Sequence, residues 1–246
     1  IQDLLVLKNN KGTEDNRVRR MDYSIQVSKL FYERFMNEEE ISLISPHMAP
    51  GLYDAFGTEE FDDLYLKYEQ DKTIPKKKVS AQDLFFDLLK ERAETGRIYI
   101  MNMDHSNEHS SFKDKVYMSN LCQEITLPTK PIQHIDDENG EIALCILSAV
   151  NVGIVKLDEM EELCDLSVRG LEEIIDYQNY PVKAAEVSTK ARRSLGIGYI
   201  GLAHYLAKLK LNYNDKQAWK EVDELTENFQ YYLLKASNEL AQEKGK

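Results

Sequence analysis

Glu141-Ile-Ala-Leu-Cys-Ile-Leu-Ser-Ala-Val150 is the stretch that decides the fold class, because it is apolar at nearly every position. It follows Glu138-Asn-Gly140, in which Asn-Gly is a dipeptide typical of tight turns. A strand that is apolar on both faces is typical of a parallel sheet covered by helices, whereas a half-buried strand alternates apolar and polar residues. We therefore expect a buried strand here, within a fold of the α/β class.

Helical periodicity dominates most of the remaining chain. The clearest helix is predicted over residues 80–95, where Ser80 and Asp83 resemble a capping box and Gly96 ends the pattern. A strand is predicted directly after it, at 97–103, and the basic run 76–78 before it is interpreted as a solvated turn. Apolar stripes predict further helices at 23–35, at 160–175 (started by Asp158), at 195–209 and at 222–240.

The composition is that of a globular protein, since 42% of the residues are apolar and 30% are charged. No apolar run approaches the roughly 20 residues that a membrane helix needs, and no secretory signal opens the chain. The formal net charge of -12 argues against DNA, RNA or an anionic membrane as a partner. Three widely spaced cysteines do not form a secreted disulfide framework, so we expect a reducing, cytoplasmic compartment.

Both ends of the chain are interpreted as cuts through a larger protein. The sequence has no initiator methionine, opens inside the apolar run 4–7 and stops within a helical pattern. We therefore expect an internal fragment that is inactive alone and whose function belongs to a longer parent.

Two motifs match known sites in their letters but not in their expected context. Residues 196–201 match G-x-G-x-x-G, but no strand is predicted before the glycines, which disfavours a dinucleotide site. Residues 105–109 match the zinc pattern H-x-x-E-H, which needs a helix, whereas their composition favours a loop. We therefore expect no metal site. Cys164 lies on the apolar stripe of its predicted helix, and we expect it to be structural.

Asn120, Cys122 and Glu124 occupy alternate positions of Ser119-Asn-Leu-Cys-Gln-Glu-Ile125. In an extended backbone, alternate side chains point the same way, about 7 Å apart. An amide, a thiol and a carboxylate would then be presented together to one small ligand. The pattern is short, and taken alone it favours the polar edge of a loop.

The surrounding sequence resembles the active-site segment of the large, catalytic subunit of class I (aerobic) ribonucleotide reductases. The resemblance is carried by Ser119-Asn-Leu-Cys-Gln-Glu-Ile-Thr-Leu-Pro-Thr-Lys-Pro131 and by Asp137-Glu-Asn-Gly-Glu-Ile-Ala-Leu-Cys145. It extends over essentially the whole chain, through further matching segments at residues 16–23, 50–56, 95–100, 191–198 and 230–239. It also places the glycines at 196–201 in a helical signature of that family.

The resemblance implies a helix-rich part of the ten-stranded α/β barrel of this family, with the radical cysteine on an internal finger loop. Residues 1–246 would form the central part of the catalytic barrel domain, without the ATP-binding cone and the C-terminal barrel segments. The implied reaction is the reduction of ribonucleoside diphosphates to 2′-deoxyribonucleoside diphosphates, which provides precursors for DNA replication.

The resemblance also implies roles for individual residues. Cys122 would carry the thiyl radical, Glu124 would be the general base, and Asn120 would orient the substrate and accept a proton. Leu121 would contact the substrate with these three. Cys145 would belong to a redox-active pair whose partner lies outside the chain. The residues alone favour a buried strand cysteine at Cys145, and the resemblance reverses that preference in favour of the redox role.

The implied cofactors and partners lie mostly outside the chain. None would bind this segment directly, whereas the parent would bind ATP, dATP and other nucleotide effectors and form a homodimer of large subunits. A small subunit with a metal–tyrosyl centre would generate the radical, and thioredoxin or glutaredoxin would supply electrons. The alternatives are an anaerobic or cobalamin-dependent reductase of the same barrel family, or a non-catalytic binding fragment. The chain would be a truncated sequence or half of a split gene product.

Overall fold

The computed structural model of the chain describes residues 15, 18 and 21–245. Two compact units divide the chain, residues 1–129 and residues 130–246. The apolar run 4–7 and most of the matching segment 16–23 lie outside the described residues. No helix in the described part of the chain is long and apolar enough to cross a bilayer.

The described residues of unit 1 (residues 1–129) contain two pairs of strands. β1 runs parallel to β4, and β2 runs antiparallel to β3. The elements in chain order are β1 (Ser24–Val27), α1 (Lys29–Met36), β2 (Glu40–Ile44), a 3-10 helix (Pro46–Met48), α2 (Leu52–Ala55), α3 (Glu60–Gln70), β3 (Lys76–Ser80), α4 (Ala81–Thr95), β4 (Tyr99–Asn102) and α5 (Met103–Glu108).

Helix α4 confirms the clearest prediction from the sequence. The Ser80 hydroxyl accepts a hydrogen bond from the backbone N–H of Asp83, and the helix ends at Gly96 in the left-handed conformation with φ 65°. These local signals occupy the expected positions, because an N-cap and a left-handed C-cap satisfy backbone groups that the helix itself leaves unpaired. Leu84 and Leu88 from this helix form a core cluster with Ile98.

Two predictions in unit 1 were wrong in the same way. Tyr23 and Val27 were assigned to a helix, but Ser24–Val27 is a strand and the helix begins only after its cap, Ser28. The basic run 76–78 is not a turn but the start of β3, paired with β2. Both strands are held by ladders to residues far away in sequence, and local periodicity does not register such pairing.

Unit 2, residues 130–246, contains one parallel strand pair covered by helices. Residues 147–151 of β5 pair with residues 196–200 of β6. Its elements are β5 (Leu147–Asn151), a 3-10 helix (Leu157–Glu159), α6 (Met160–Tyr177), α7 (Lys183–Arg192), β6 (Gly196–Ile200), α8 (Leu202–Lys208) and α9 (Lys216–Glu243). Helices α6 and α9 confirm the stripes predicted at 160–175 and 222–240. The expected α/β class is therefore confirmed.

The stretch 141–150 is a strand only in its second half. Glu141 forms an isolated antiparallel bridge with Lys130, and the N–H of Ile142 donates to the carbonyl of Ala184 in helix α7. The backbone of residues 142–146 is therefore irregular, and pairing with β6 begins at Leu147. Burial on both faces was also wrong, because Leu147 is 51% exposed while Val150 is buried.

The glycine segment was predicted as helix and is a strand. Residues 196–200 pair with β5, and a Cβ on Gly196 would lie 2.5 Å from a methyl carbon of Leu147. Gly201 then turns the chain into helix α8 with φ 82°. The glycines thus permit close approach of two strands and a left-handed turn, which are backbone requirements that helical periodicity cannot report.

Cys164 has the structural place expected for it. It is fully buried in the core between helices α6 and α9, with Met160, Leu225 and Phe229. Burial raises the pKa of its thiol to about 11, so the reactive thiolate is suppressed at neutral pH.

Candidate functional site

Cys122 lies in an exposed turn of the irregular segment that follows helix α5 in unit 1. The turn closes through the N–H of Gln123, which donates to the carbonyl of Asn120 at 3.2 Å. Gln123 itself adopts φ 68°, in the left-handed region. An extended strip of Asn120, Cys122 and Glu124 was therefore wrong, because a left-handed residue between them breaks the alternation of side chains.

Asn120 holds this turn together. Its side-chain oxygen accepts a hydrogen bond from the backbone N–H of Ile125 at 3.0 Å. The Ser119 hydroxyl donates to the carbonyl of Ile125 at 2.7 Å and closes the same loop. Such local bonds from Asn and Ser side chains compete with strand pairing and favour turns. The amide oxygen of Asn120 is thus engaged within the loop, whereas Leu121, Cys122 and Glu124 are exposed.

The segment that leads to the Cys122 turn lies against one face of the β1–β4 pair. Gln26 and Met101 are register partners, and the Gln26 amide nitrogen donates to the carbonyl of Tyr117 at 2.7 Å. On the same face Met101 packs with the buried Val116. Asn107 of helix α5 fixes Val116 further by accepting from its N–H at 2.8 Å and donating to its carbonyl at 3.1 Å.

The other face of the β1–β4 pair is covered by helices. Ile25 and Ile100 pack against the cluster formed by Leu84, Leu88 and Ile98. Because side chains alternate along a strand, the two faces are separated cleanly: one packs on helix α4 and the other carries the loop. The loop with Cys122 therefore lies on the face of the strands that α4 does not cover.

Tyr99 lies on this loop-bearing face of β4, two residues before Met101. A hydrogen bond with the Cys122 thiol is the largest cause of a raised pKa of the Tyr99 hydroxyl, and the charge of the thiolate adds to it. Tyr99 begins strand β4 and is the register partner of Ser24. Our sequence reasoning missed this residue, although it placed Tyr99 in a strand within a family-matching segment. The signal that could have found it is a polar aromatic residue directly before the apolar Ile100 and Met101 of the same strand.

Cys145 is exposed in unit 2, on the irregular stretch just before β5 and not on the strand itself. Both ends of this stretch form backbone hydrogen bonds, one to helix α7 and the other to the start of β6. At one end Ile142 is bonded to Ala184, and at the other the N–H of Gly196 donates to the carbonyl of Ile146 at 2.9 Å. The redox role that the resemblance implies for Cys145 stays a prediction.

A buried carboxylate precedes Cys145. Glu141 has a side chain 9% exposed; it accepts a hydrogen bond from Lys130 at 2.6 Å and forms an ion pair with Arg192, whose side chain is 13% exposed. Burial alone would raise the pKa of Glu141, but the hydrogen bonds from Lys130 and Arg192 outweigh it and the pKa is lowered. The carboxylate is thus charged at neutral pH and ties the Cys145 stretch to the end of helix α7.

The loop between Lys130 and Glu141 is organised by another buried carboxylate. Asp137 accepts hydrogen bonds from the backbone N–H groups of Gln133 at 2.9 Å and Asn139 at 2.8 Å. These two bonds lower the pKa of Asp137. The tight packing extends to Gly140, where a Cβ would lie 2.3 Å from a methyl carbon of Ile132.

His105 does not lie in a loop as predicted but in helix α5, and His109 is the residue that caps the end of this helix. The helix follows β4 directly, and its Asp104 carboxylate accepts from the backbone N–H at the start of helix α1. The two imidazole rings are 6.1 Å apart, centre to centre. Among the described residues, no group of three or more His, Cys, Asp or Glu side chains is placed to hold a metal ion.

Known proteins are similar to this chain along its full length. The family described as "Ribonucleotide reductase, barrel domain" matches residues 1–246. Ribonucleoside-diphosphate reductase subunit alpha of Haemophilus influenzae is 58% identical over 250 residues, which cover 99% of this chain and 33% of that protein. Ribonucleoside-diphosphate reductase 1 subunit alpha of Escherichia coli K12 is 55% identical over 251 residues, covering 100% of this chain and 33% of that protein.

A relative of lower sequence identity also matches the whole of this chain. The subunit alpha of the phage T4 enzyme is 42% identical over 254 residues, again with 33% of its length covered. This chain therefore spans about a third of the length of the curated relatives it matches. With a family match over every residue, the chain belongs to the ribonucleotide reductase barrel-domain family.

Proposed function

We propose that the parent of this chain reduces ribonucleoside diphosphates to 2′-deoxyribonucleoside diphosphates, with Cys122 as the thiyl-radical residue. The observation that carries the proposal is the position of the Cys122 turn on the face of the β1–β4 pair that helix α4 leaves uncovered. In an α/β barrel, helices cover the outside of the strands, and the opposite face points inward. Relatives named as reductase alpha subunits support the substrate class.

The chemistry explains the residue types. Hydroxide is a poor leaving group, but a radical at C3′ weakens the neighbouring C2′–O bond. A thiyl radical on Cys122 would take the 3′ hydrogen atom and become a thiol. Glu124 would accept the proton of the 3′-hydroxyl as the general base. After the 2′-hydroxyl leaves as water, Glu124 would return its proton to the 3′ oxygen, and Cys122 would return its hydrogen atom to C3′ and regain the radical.

Cys145 would supply reducing equivalents together with a cysteine outside this chain. Together the two thiols would give one proton to the leaving hydroxyl and one proton and two electrons to the sugar, where the new C2′–H bond forms, and they would end as a disulfide. The overall reaction then balances as substrate and dithiol giving deoxynucleotide, disulfide and water. Thioredoxin or glutaredoxin would reduce the disulfide again. The exposed Cys145, on a stretch tethered at both ends, fits a thiol that must meet different partners in turn.

Asn120 and Leu121 would contact the substrate beside Cys122. Because the amide oxygen of Asn120 is bonded to the N–H of Ile125, the contact would fall to its amide nitrogen. That nitrogen is a donor, so it would bind a sugar oxygen and orient the ring. This differs from the proton-accepting role expected from the family resemblance.

The parent would also need partners. The proposal includes a small subunit whose metal–tyrosyl centre supplies the radical, a homodimer of large subunits and ATP or dATP as effectors. It places the enzyme in the cytoplasm, without DNA, RNA or membrane as a partner. Residues 1–246 would be the central part of its catalytic barrel domain.

The test is Cys122→Ser in the reconstituted parent enzyme. We expect deoxynucleotide formation to fall below detection while substrate binding stays within a few-fold of the unmutated enzyme. Thr126→Ala, an exposed change just after the turn, is the control and should keep its activity. Turnover of the Cys122→Ser enzyme near the unmutated rate would contradict the proposal.

A further inference from the structure

The bonds within the Cys122 turn fix its shape but not its place on the β1–β4 pair. Asn120 and Ser119 both bond to Ile125, which lies in the same loop. Transfer of a hydrogen atom requires the reacting atoms in close, defined approach, so a displacement of about an ångström matters. The place of the turn must therefore be set by contacts of the loop with other elements.

Such contacts are made by three consecutive residues just before the turn, Lys115, Val116 and Tyr117. On the strand side, the backbone of this segment is bound by Gln26 of β1 at Tyr117 and by Asn107 of helix α5 at Val116. Val116 is also fully buried. One side of the segment is thus held against the strand pair and helix α5.

Helix α2 contacts two side chains of the same segment. The rings of Tyr53 and Tyr117 are stacked, with their centroids 6.3 Å apart and their planes at 14°. The Lys115 ammonium lies 4.5 Å from the centroid of the Tyr117 ring and donates a hydrogen bond to the carbonyl of Asp54. This ammonium is partly withdrawn from water, which lowers the pKa of Lys115. Desolvation strengthens the attraction between a cation and an aromatic face, so the ring and the ammonium bind the segment together.

Helix α2 is a firm support because its buried face belongs to a core. Leu52 and Ala55 are buried in a cluster with Phe61. The residue after the helix, Phe56, packs against the cluster that contains Val116. The segment therefore lies between two parts of unit 1 that are each held by core packing, and such elements fix a site more accurately than a loop does.

We propose that Lys115 and Tyr117 are positioning residues that fix the base of the Cys122 loop. With Tyr53 and the carbonyl of Asp54 they form what we call the α2 clasp. The inference deepens the proposed function and rests on it for the purpose of the clasp, whereas the clasp itself can be tested without any activity. Released from helix α2, the loop would keep the shape of its turn but move relative to the strands.

The first experiment measures hydrogen exchange of the Val116 N–H by NMR. This N–H donates to the side chain of Asn107, so its exchange reports local opening of the segment. Lys115→Met keeps the stem of the side chain and removes the charge, whereas Tyr117→Leu removes the ring. We expect either change to accelerate exchange about threefold or more, as for the loss of a partly exposed cation–π pair. The double variant should show less than the product of the two effects, because both changes remove the same contact.

Two controls match these changes. Tyr117→Phe keeps the aromatic ring, so exchange of Val116 should stay close to that of the unmutated chain. Lys190→Met removes a cation of the same kind from unit 2, where the ammonium lies 5.6 Å from the centroid of the Tyr180 ring. This variant should leave the exchange of Val116 unchanged.

The N–H of Leu88, inside helix α4, reports unfolding of unit 1 as a whole and should keep its exchange rate. If Tyr117→Leu accelerates Leu88 as well, that variant has unfolded, and Lys115→Met decides the case alone. Exchange of Val116 that is unchanged in Lys115→Met would overturn the clasp. Effects of the two changes that simply multiply would also refute it, because they would show two independent contacts.

The second experiment separates positioning from stability, in the reconstituted parent with substrate deuterated at C3′. A misplaced sulfur slows hydrogen-atom abstraction, so Lys115→Met should lower kcat about tenfold and raise the isotope effect on kcat. Tyr117→Phe should keep both values near those of the unmutated enzyme. A clasp that only stabilises the fold would reduce the amount of folded enzyme and leave the isotope effect unchanged, and that result would overturn the positioning role. If instead Cys122→Ser retains activity, the proposed function fails while the exchange result still stands.

Discussion

Replacement of Glu141 by Gln should destabilise unit 2 substantially, although it removes only one charge. The Glu141 carboxylate is 9% exposed and is bound by Lys130 at 2.6 Å and by the guanidinium of Arg192. Gln keeps the size of the side chain, so the variant tests charge and hydrogen bonding rather than packing.

The magnitude follows from the different exposure of the two cations. Removing one partner of a fully buried ion pair costs about 3–5 kcal/mol, because the other charge stays buried. Here the Lys130 side chain is 56% exposed and can be hydrated, whereas that of Arg192 is 13% exposed. The Gln oxygen can still accept one hydrogen bond. We therefore expect a loss of about 2 kcal/mol, or roughly a thirtyfold change in the opening equilibrium.

Cys164 provides the assay, since its fully buried thiol reacts only when the core of unit 2 opens. When opening and closing are fast compared with labelling, the rate is proportional to the population of the open state. Labelling of Cys164 in moderate urea should therefore be about thirtyfold faster in Glu141→Gln.

Glu173→Gln is the matched control, with the same change of charge in the same unit. The Glu173 carboxylate is 70% exposed and lies 2.9 Å from the Lys244 ammonium. Exposed pairs contribute about 0.2–1 kcal/mol, so the labelling rate of Cys164 should rise by about fivefold at most. If Cys164 is labelled equally fast in the two variants, the buried ion pairs of Glu141 do not stabilise the unit and the reasoning fails.

Two further predictions concern stability. The pKa of Glu69 is lowered, chiefly by hydrogen bonds from the buried Arg34. The ion pair therefore stabilises the folded chain fully above the pKa of Glu69 in the unfolded chain, about 4.3. This stabilisation is lost as the pH falls through the lower pKa of Glu69 in the folded chain. The urea midpoint followed by circular dichroism should therefore fall more steeply below pH 5 in the unmutated chain than in Glu69→Gln; parallel curves would contradict this. Gly201→Ala should accelerate Cys164 labelling more than tenfold, because φ is 82° and the new Cβ would lie 2.3 Å from the amide oxygen of Asn151. Gly170→Ala should slow the labelling of Cys164, because the new methyl group has open space around it in helix α6 and alanine favours the helix. Equal labelling rates in Gly201→Ala and Gly170→Ala would refute the argument.

The helices could be predicted where their signals are local. Helix α4 has its cap at Ser80 and its stop at Gly96, and both act within a few residues of the helix itself. Helices α6 and α9 are long enough for their apolar stripes to be clear. Such elements are encoded by neighbouring residues, so one sequence suffices to find them.

Strands were missed where their partners are distant. Ser24 pairs with Tyr99, and Gly196 pairs with Leu147, so the energy of each ladder comes from residues about fifty or more positions away. Local periodicity then competes with long-range pairing, and the pairing wins. The false helix at 23–35 and the false helix through the glycines have this common cause.

At the candidate site, the sequence indicated the residue types but not their arrangement in space. Asn120, Cys122 and Glu124 were found as a set of chemical groups, but their arrangement depends on the left-handed backbone of Gln123. A glutamine does not predict a positive φ, because glycine or asparagine is the usual residue at such a position. The conformation is imposed by hydrogen bonds around it, and these appear only in three dimensions.

Gln26 explains how the strand pair selects the face on which chemistry occurs. A glutamine within a short strand is unfavourable unless its amide is bound, and here it donates to the carbonyl of Tyr117. The same alternation that sends Ile25 and Ile100 onto helix α4 sends Gln26 and Tyr99 to the opposite side, where the loop lies. A single pairing register therefore determines both the helix-packed core and the surface on which Cys122 is presented. A slip of one residue would bury Gln26 against the leucines of helix α4 and remove its hydrogen bond to the loop, so the fold and the site depend on the same ladder.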